Sequence, residues 1–133
     1  MKAILYVGLG GFFGANLRYF VCDWAIKKWG QQSPYGTFLV NIIGSFIFGF
    51  LVMILAEQFE LSPQLKQLLV TGFFGAFTTF SSFMLDAVQM LSKGEVSQSF
   101  LYLLGSILLG VIALLAGSAL GDHLTAIPAL AQS

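Results

Sequence analysis

Three short polar stretches divide an otherwise apolar chain, and that division constrains the fold more than any other feature of the sequence. QQSPYG at 31–36, a charged loop at 57–67 and KGEVS at 93–97 leave four apolar segments. Each segment approaches or exceeds the roughly 20 residues that a helix needs to cross a bilayer. Only 9% of the residues are charged and 57% are hydrophobic, whereas a soluble domain carries about 25% charge. In lipid every backbone amide and carbonyl must find its partner within the protein, so each segment reads as an α-helix. The expectation is a single all-α integral membrane domain over 1–133, with helices at about 3–29, 37–56, 64–92 and 98–121. Lys2 and the apolar run after it resemble a signal peptide, but no convincing small-x-small cleavage site follows and three more spans do.

The same composition excludes several functions. Six basic side chains balance six acidic ones, leaving no basic footprint for nucleic acid. Cys22 is alone and cannot form an intrachain disulfide, and His123 stands by itself near the C-terminus. No phosphate loop, hydrolase elbow or paired-carboxylate motif is present, so enzyme chemistry has no residues to rest on.

Within the third segment, GFFGAFTTFSSF at 72–83 disfavours an unbroken helix. Gly72 and Gly75 each cost about 1 kcal/mol relative to Ala, and Thr78 and Thr79 are stiff, with hydroxyls that compete for backbone partners. An opened helix at membrane depth persists only where protein or a polar cavity takes up the freed groups. The stretch therefore predicts a break in the third helix near mid-membrane, and marks it as a site. Phe80 and Phe83, three residues apart and alternating with Ser81 and Ser82, read either as core or lipid-facing rings or as an aromatic lining.

The other helices carry polar residues on defined faces. Thr37, Asn41, Gly44, Ser45 and Phe48 share one face of the second. There the Asn41 amide reads either as an interhelical hydrogen bond or as a donor in a narrow polar path. Gly8, Gly11, Ala15, Arg18 and Cys22 form a stripe on the first helix, with Gly14 beside it, and the small residues predict close packing. Arg18 either snorkels to the interface or faces an aqueous vestibule and draws anions. Asp86 calls for a partner, and Arg18 is one candidate. On the fourth helix Tyr102, Ser106, Gly110, Ala113 and Gly117 align, with the hydroxyls of Tyr102 and Ser106 one turn apart.

Lys2 and Lys66 flank the membrane on the side of the termini, against Lys27, Lys28 and Lys93 on the other. Two against three gives no orientation by the positive-inside rule. A chain without that bias inserts both ways, which predicts an antiparallel dual-topology homodimer with its axis in the membrane plane near the break. Unwound carbonyls from two chains would converge there as hard oxygen ligands suited to an alkali cation.

GLGGFFGANLRY (8–19), GTFLVNIIGSFIFGFL (36–51) and GFFGAFTTFSSF (72–83) resemble, in order and spacing, the three signatures of the Fluc/CrcB fluoride channels. The resemblance implies a bacterial inner-membrane homodimer that lets fluoride leave the cell passively. It implies Asn41 as the pore amide, Phe80 and Phe83 as an aromatic box, and Gly75 and Thr78 as carbonyl donors to a structural Na⁺ on the dimer axis. It also places Arg18 at the vestibule and Tyr102 and Ser106 on the polar face of the fourth helix, with Ser81 and Thr37 beside the path. Ser82 stands where many members have threonine, which keeps the hydroxyl. A proton-coupled multidrug exporter, the main rival, needs a membrane-embedded acid that the first span lacks; a second rival is an assembly subunit whose glycines serve packing alone.

Overall fold

The computed structural model describes residues 2–30, 33–58 and 62–130; Gln31, Gln32, Phe59, Glu60 and Leu61, from the first two polar connections, lie outside it. Four helical spans, each long and apolar enough to cross a membrane, account for the described chain. The first is α1, Lys2–Trp29, and the second α2, Tyr35–Gln58. The third is built in pieces: α3 (Pro63–Lys66), a π-helical stretch (Gln67–Phe74), α4 (Gly75–Phe77) and α5 (Phe80–Ser92). The fourth is α6, Val96–Leu130. At 1.5 Å per residue the 28 residues of α1 extend about 42 Å, more than the roughly 30 Å hydrocarbon layer.

Local chemistry sets the ends of these helices. Ser62 caps α3, its Oγ accepting the Leu65 N–H at 3.3 Å, with Pro63 in the first helical position as the sequence suggests. Gly30 closes α1 with φ at 96°, and Gly94 follows α5 with φ at 79°. Both lie in the left-handed region, which is open to glycine without the steric cost of a β-carbon.

The fourth helix is longer than the sequence suggests. The expectation ended it near 121, where Gly121 opens a polar run, but the helix continues to Leu130. Gly121 is retained because α2 lies against it: a β-carbon there would come within 2.8 Å of the Phe50 carbonyl. A packing glycine inside a helix and a terminating glycine look alike in sequence.

Packing follows the glycines. α2 and α6 run together along most of their length, while α1 lies against the π-helical stretch and α4. A β-carbon at Gly10 would overlap the Leu68 carbonyl, one at Gly14 the Phe73 carbonyl, one at Gly49 the Leu114 carbonyl and one at Gly117 the Phe46 carbonyl. Without a hydrophobic driving force between lipid-bathed helices, such backbone approaches supply the dispersion contacts that hold them together. On α1 the seam is not the predicted Gly8–Gly11 stripe. Gly8 faces open space and Gly11 makes only a loose approach at 3.9 Å, whereas Gly10 and Gly14, one turn apart, meet the third span directly.

Gly117→Ala is accordingly expected to lower the unfolding free energy of the detergent-solubilised protein by about 1–3 kcal/mol, because the new methyl must displace backbone. Gly8→Ala, with nothing near its β-carbon, should match or exceed the wild type in the same melt.

Candidate functional site

The helical backbone conformation of the third span lapses at two residues. Thr78 (φ −79°, ψ 157°) and Thr79 (φ −148°, ψ 124°) are extended, whereas Gly72 and Gly75 keep helical backbone. The threonines rather than the glycines interrupt the helix, and each caps one side of the gap. Thr78 gives its N–H and hydroxyl to the Phe74 carbonyl, at 3.1 and 2.9 Å, and so closes α4. Thr79 opens α5: its Oγ1 accepts the Ser82 N–H at 3.3 Å and donates to Ser82 Oγ at 3.1 Å.

Asn41 supplies the remaining partners from across the bundle. Its Oδ1 accepts the Thr79 N–H at 2.8 Å and its Nδ2 donates to the Thr79 carbonyl at 3.0 Å. One side chain on α2 thereby replaces both hydrogen bonds that an extended residue cannot make to its own helix. Of the two readings left open by the sequence, the interhelical bond is present. The amide also lines a cleft and carries a second N–H there, since Nδ2 has two.

These substitutions release two carbonyls. In a continuous helix the Thr79 N–H would go to Gly75 and the Ser82 N–H to Thr78. Here the first goes to Asn41 and the second to Thr79 Oγ1. The Gly75 and Thr78 oxygens thus lose their helical donors, and Gly75 is exposed. A neutral pair of hard oxygen atoms fits an alkali cation, and one chain supplies too few of them to enclose it.

The cleft, about 320 Å³, is lined by Asn41, Ser45, Phe83, Ser106 and aliphatic residues of α6. Ser106 Oγ is buried with no hydrogen-bond partner among the described residues. A buried hydroxyl without a partner costs about 1–3 kcal/mol, so its presence calls for an occupant. Phe83, only 6% exposed, packs its ring 5.1 Å from that of Tyr102.

Tyr102 faces a second, larger cavity of about 840 Å³ at the end of the bundle, which also holds Asp86, Gln89, Lys93, Glu95 and Gln98. Its phenol donates to Asp86 Oδ2 at 3.1 Å, and buried Thr37 adjoins it. The Phe83–Tyr102 ring pair therefore stands between the wide cavity and the narrow cleft.

The candidates do not all converge. Asn41, Phe83 and Ser106 share the cleft, and Thr37 and Tyr102 stand at its approach. Phe80 lies 6.2 Å from Phe83, ring to ring, but turns outward and is 74% exposed, and Ser81 is exposed beside it. Arg18 is half-exposed on α1 and lines neither cavity; Asp86 takes the Tyr102 phenol and forms no ion pair with Arg18. One residue with a central role, Thr79, was not among the candidate site residues, though it carried a capping signal, a hydroxyl residue three positions before Ser82. Asp86 called for a partner, and its partner is Tyr102, 16 residues on and on another helix.

Comparison with known proteins places these features in context. The family model for CrcB-like protein, Camphor Resistance (CrcB), matches residues 5–118. The chain is 46% identical over 124 residues to the fluoride-specific ion channel FluC of Allorhizobium ampelinum, covering 93% of this chain and 99% of that one. It is 43% identical over 124 residues to FluC of Agrobacterium fabrum, with the same coverage of both chains. It is also 40% identical over 121 residues to FluC of Chloroflexus aurantiacus, covering 91% of this chain and 96% of that one.

Asn41→Leu takes the Asn41 partner from both polar groups of Thr79 and is expected to lower the unfolding free energy from SDS titrations by on the order of 2 kcal/mol. Ser106→Ala removes a buried hydroxyl bonded to nothing and should raise the unfolding free energy, by up to about 1–3 kcal/mol.

Proposed function

The chain belongs to the CrcB-like family, and from that membership and the geometry of its cleft we propose that it is a fluoride channel, passing the ion passively across the membrane and so lowering fluoride on the cytoplasmic side. The single observation that carries this reading is the unpartnered Ser106 hydroxyl buried in the cleft that Asn41 lines. An unused donor beside an amide N–H, inside an otherwise aliphatic wall, suits an ion that must be compensated for lost water.

Fluoride is small and tightly hydrated, so a purely apolar passage would exclude it. The larger cavity, with its charged and amide residues, admits the ion still hydrated. At the Phe83–Tyr102 pair the passage narrows. Beyond that point Asn41, Ser106 and Ser45 provide N–H and O–H donors, and the Phe83 ring presents its electropositive edge. Donors of this neutral kind hold the ion enough to admit it and weakly enough to let it leave, which conduction requires. No bond is made or broken, and the protein acts as a multi-pass membrane pore rather than an enzyme.

The exposed face of the break supports a second copy of the chain. Phe80, Ser81 and Gly75 all point away from the single-chain bundle, and an antiparallel partner would bury them and bring its own Phe80 toward the path. The Gly75 and Thr78 carbonyls of both copies would then hold a sodium ion on the axis, where its charge would fix the two breaks together. Arg18, though outside both cavities, would add positive potential along the flank of the approach.

Proteoliposomes loaded with fluoride and read with a fluoride-selective electrode test the function. Passive efflux that exceeds chloride efflux is expected, and transport driven by a pH gradient would instead support proton-coupled exchange. Ser106→Ala and Phe80→Ile should each slow fluoride efflux on the order of tenfold, the worth of one lost contact to an ion. Wild-type rates in both would disprove the assignment of the path.

The sodium reading has its own measurement, thermal unfolding in sodium against N-methylglucamine. The midpoint should rise with sodium concentration, as for any ion bound only by the folded assembly. A midpoint indifferent to sodium would dismiss the site.

A further inference from the structure

At the cavity end of the bundle, α1 ends in an aromatic cluster of which Trp29 and Tyr35 also line the larger cavity, while Trp24 and Lys28 do not. Trp24 and Trp29, the two tryptophans of the chain, meet edge to face with centroids 5.1 Å apart, and Tyr35 at the start of α2 packs 5.3 Å from Trp29. The Lys28 ammonium sits against both indoles, 5.1 Å from the Trp24 centroid and 4.8 Å from that of Trp29. All three aromatic residues are 42–51% exposed.

The neighbouring lysine differs in its state. Lys27 is spent on Asp23, one turn back, at 2.6 Å. Lys28 forms no ion pair among the described residues and lines neither cavity, so no described carboxylate takes its ammonium N–H donors. Centred across a roughly 30 Å hydrocarbon layer, a helix of about 42 Å would leave roughly 6 Å beyond each boundary, which would put Lys28 and Trp29 at headgroup level and Trp24 just beneath it. Indoles settle at that level, and anionic lipids draw lysines placed there.

We infer that Lys28, held between Trp24 and Trp29, forms a binding site for the phosphate of an anionic phospholipid headgroup. The indole faces fix the ammonium, so little side-chain freedom remains to be lost on binding. The same contact decides between lipids. Two tryptophans and a tyrosine left empty would suit the quaternary ammonium of a choline headgroup, but Lys28 already occupies the two indole faces. A headgroup with net negative charge complements what remains.

Because the two indoles are the only ones in the chain, their fluorescence reports on this site alone. The full-length protein is reconstituted in phosphatidylcholine vesicles containing brominated phosphatidylglycerol or brominated phosphatidylcholine, and quenching is compared. The expected result is a roughly fivefold preference for phosphatidylglycerol, the scale set by one interfacial lysine. Lys28→Gln should bring the preference to about one and Lys28→Arg should preserve it, while Lys27→Gln should leave it at the wild-type value. Equal quenching by the two lipids in the wild type, or a preference for phosphatidylcholine, overturns the proposal even if no variant can be purified. So does a preference that survives Lys28→Gln, or one that Lys27→Gln abolishes to the same degree.

Discussion

The reciprocal hydrogen bonding between the Asn41 amide and Thr79 is the interaction on which the candidate site depends. A helix can open inside a bilayer only if something else satisfies the groups it exposes. Thr78 and Thr79 answer part of that demand locally, through a back-bond to Phe74 and a cap on Ser82. The N–H and carbonyl of Thr79 remain, and Asn41 takes both from another helix. The break is therefore a tertiary feature, held by a residue 38 positions earlier in the chain. Its by-products, two released carbonyls and a ring turned outward at Phe80, are the features the proposed function draws on.

The glycine seams make that contact possible. Gly44 faces Thr78 so closely that a β-carbon would lie 2.6 Å from its Cγ2, and Gly44 is only one turn from Asn41. Without that clearance α2 would stand off from the break and the amide would fall short of Thr79. Packing and site are in this sense one arrangement: the small residues that let backbones touch also bring a short polar side chain within reach of its target.

Much of this was legible in the sequence, and the parts that were not share a cause. The four spans follow from apolar length alone, and the polar faces of α2 and α6 from helical spacing, so Asn41 and Ser106 were identified before any coordinates. The precise seam on α1 was not, because Gly8, Gly10, Gly11 and Gly14 offer two equally regular rows and only the partner helix chooses between them. The break was assigned to a stretch of glycines and threonines together. Propensity points to the glycines, but the hydrogen bonds belong to the threonines, and tertiary partners outweigh an intrinsic cost of about 1 kcal/mol. Phe80 and Phe83 show the same limit. Three residues apart on one helix, they take opposite environments, one buried against Tyr102 and one facing outward.

The π-helical turns of Gln67–Phe74, which precede the break, constrain the length of the third span as much as its composition. Each residue of an α-helix advances the chain by about 100°, and a wider turn absorbs one residue more than the ordinary ladder. Losing a single residue there would let the helix tighten to the ordinary ladder with its downstream face kept, but gaining one more would swing everything downstream about a quarter-turn around its axis. Thr79 would then turn away from Asn41, and Phe83 would leave its place against Tyr102. The stretch should thus accept exchanges of one apolar residue for another far more readily than an added one.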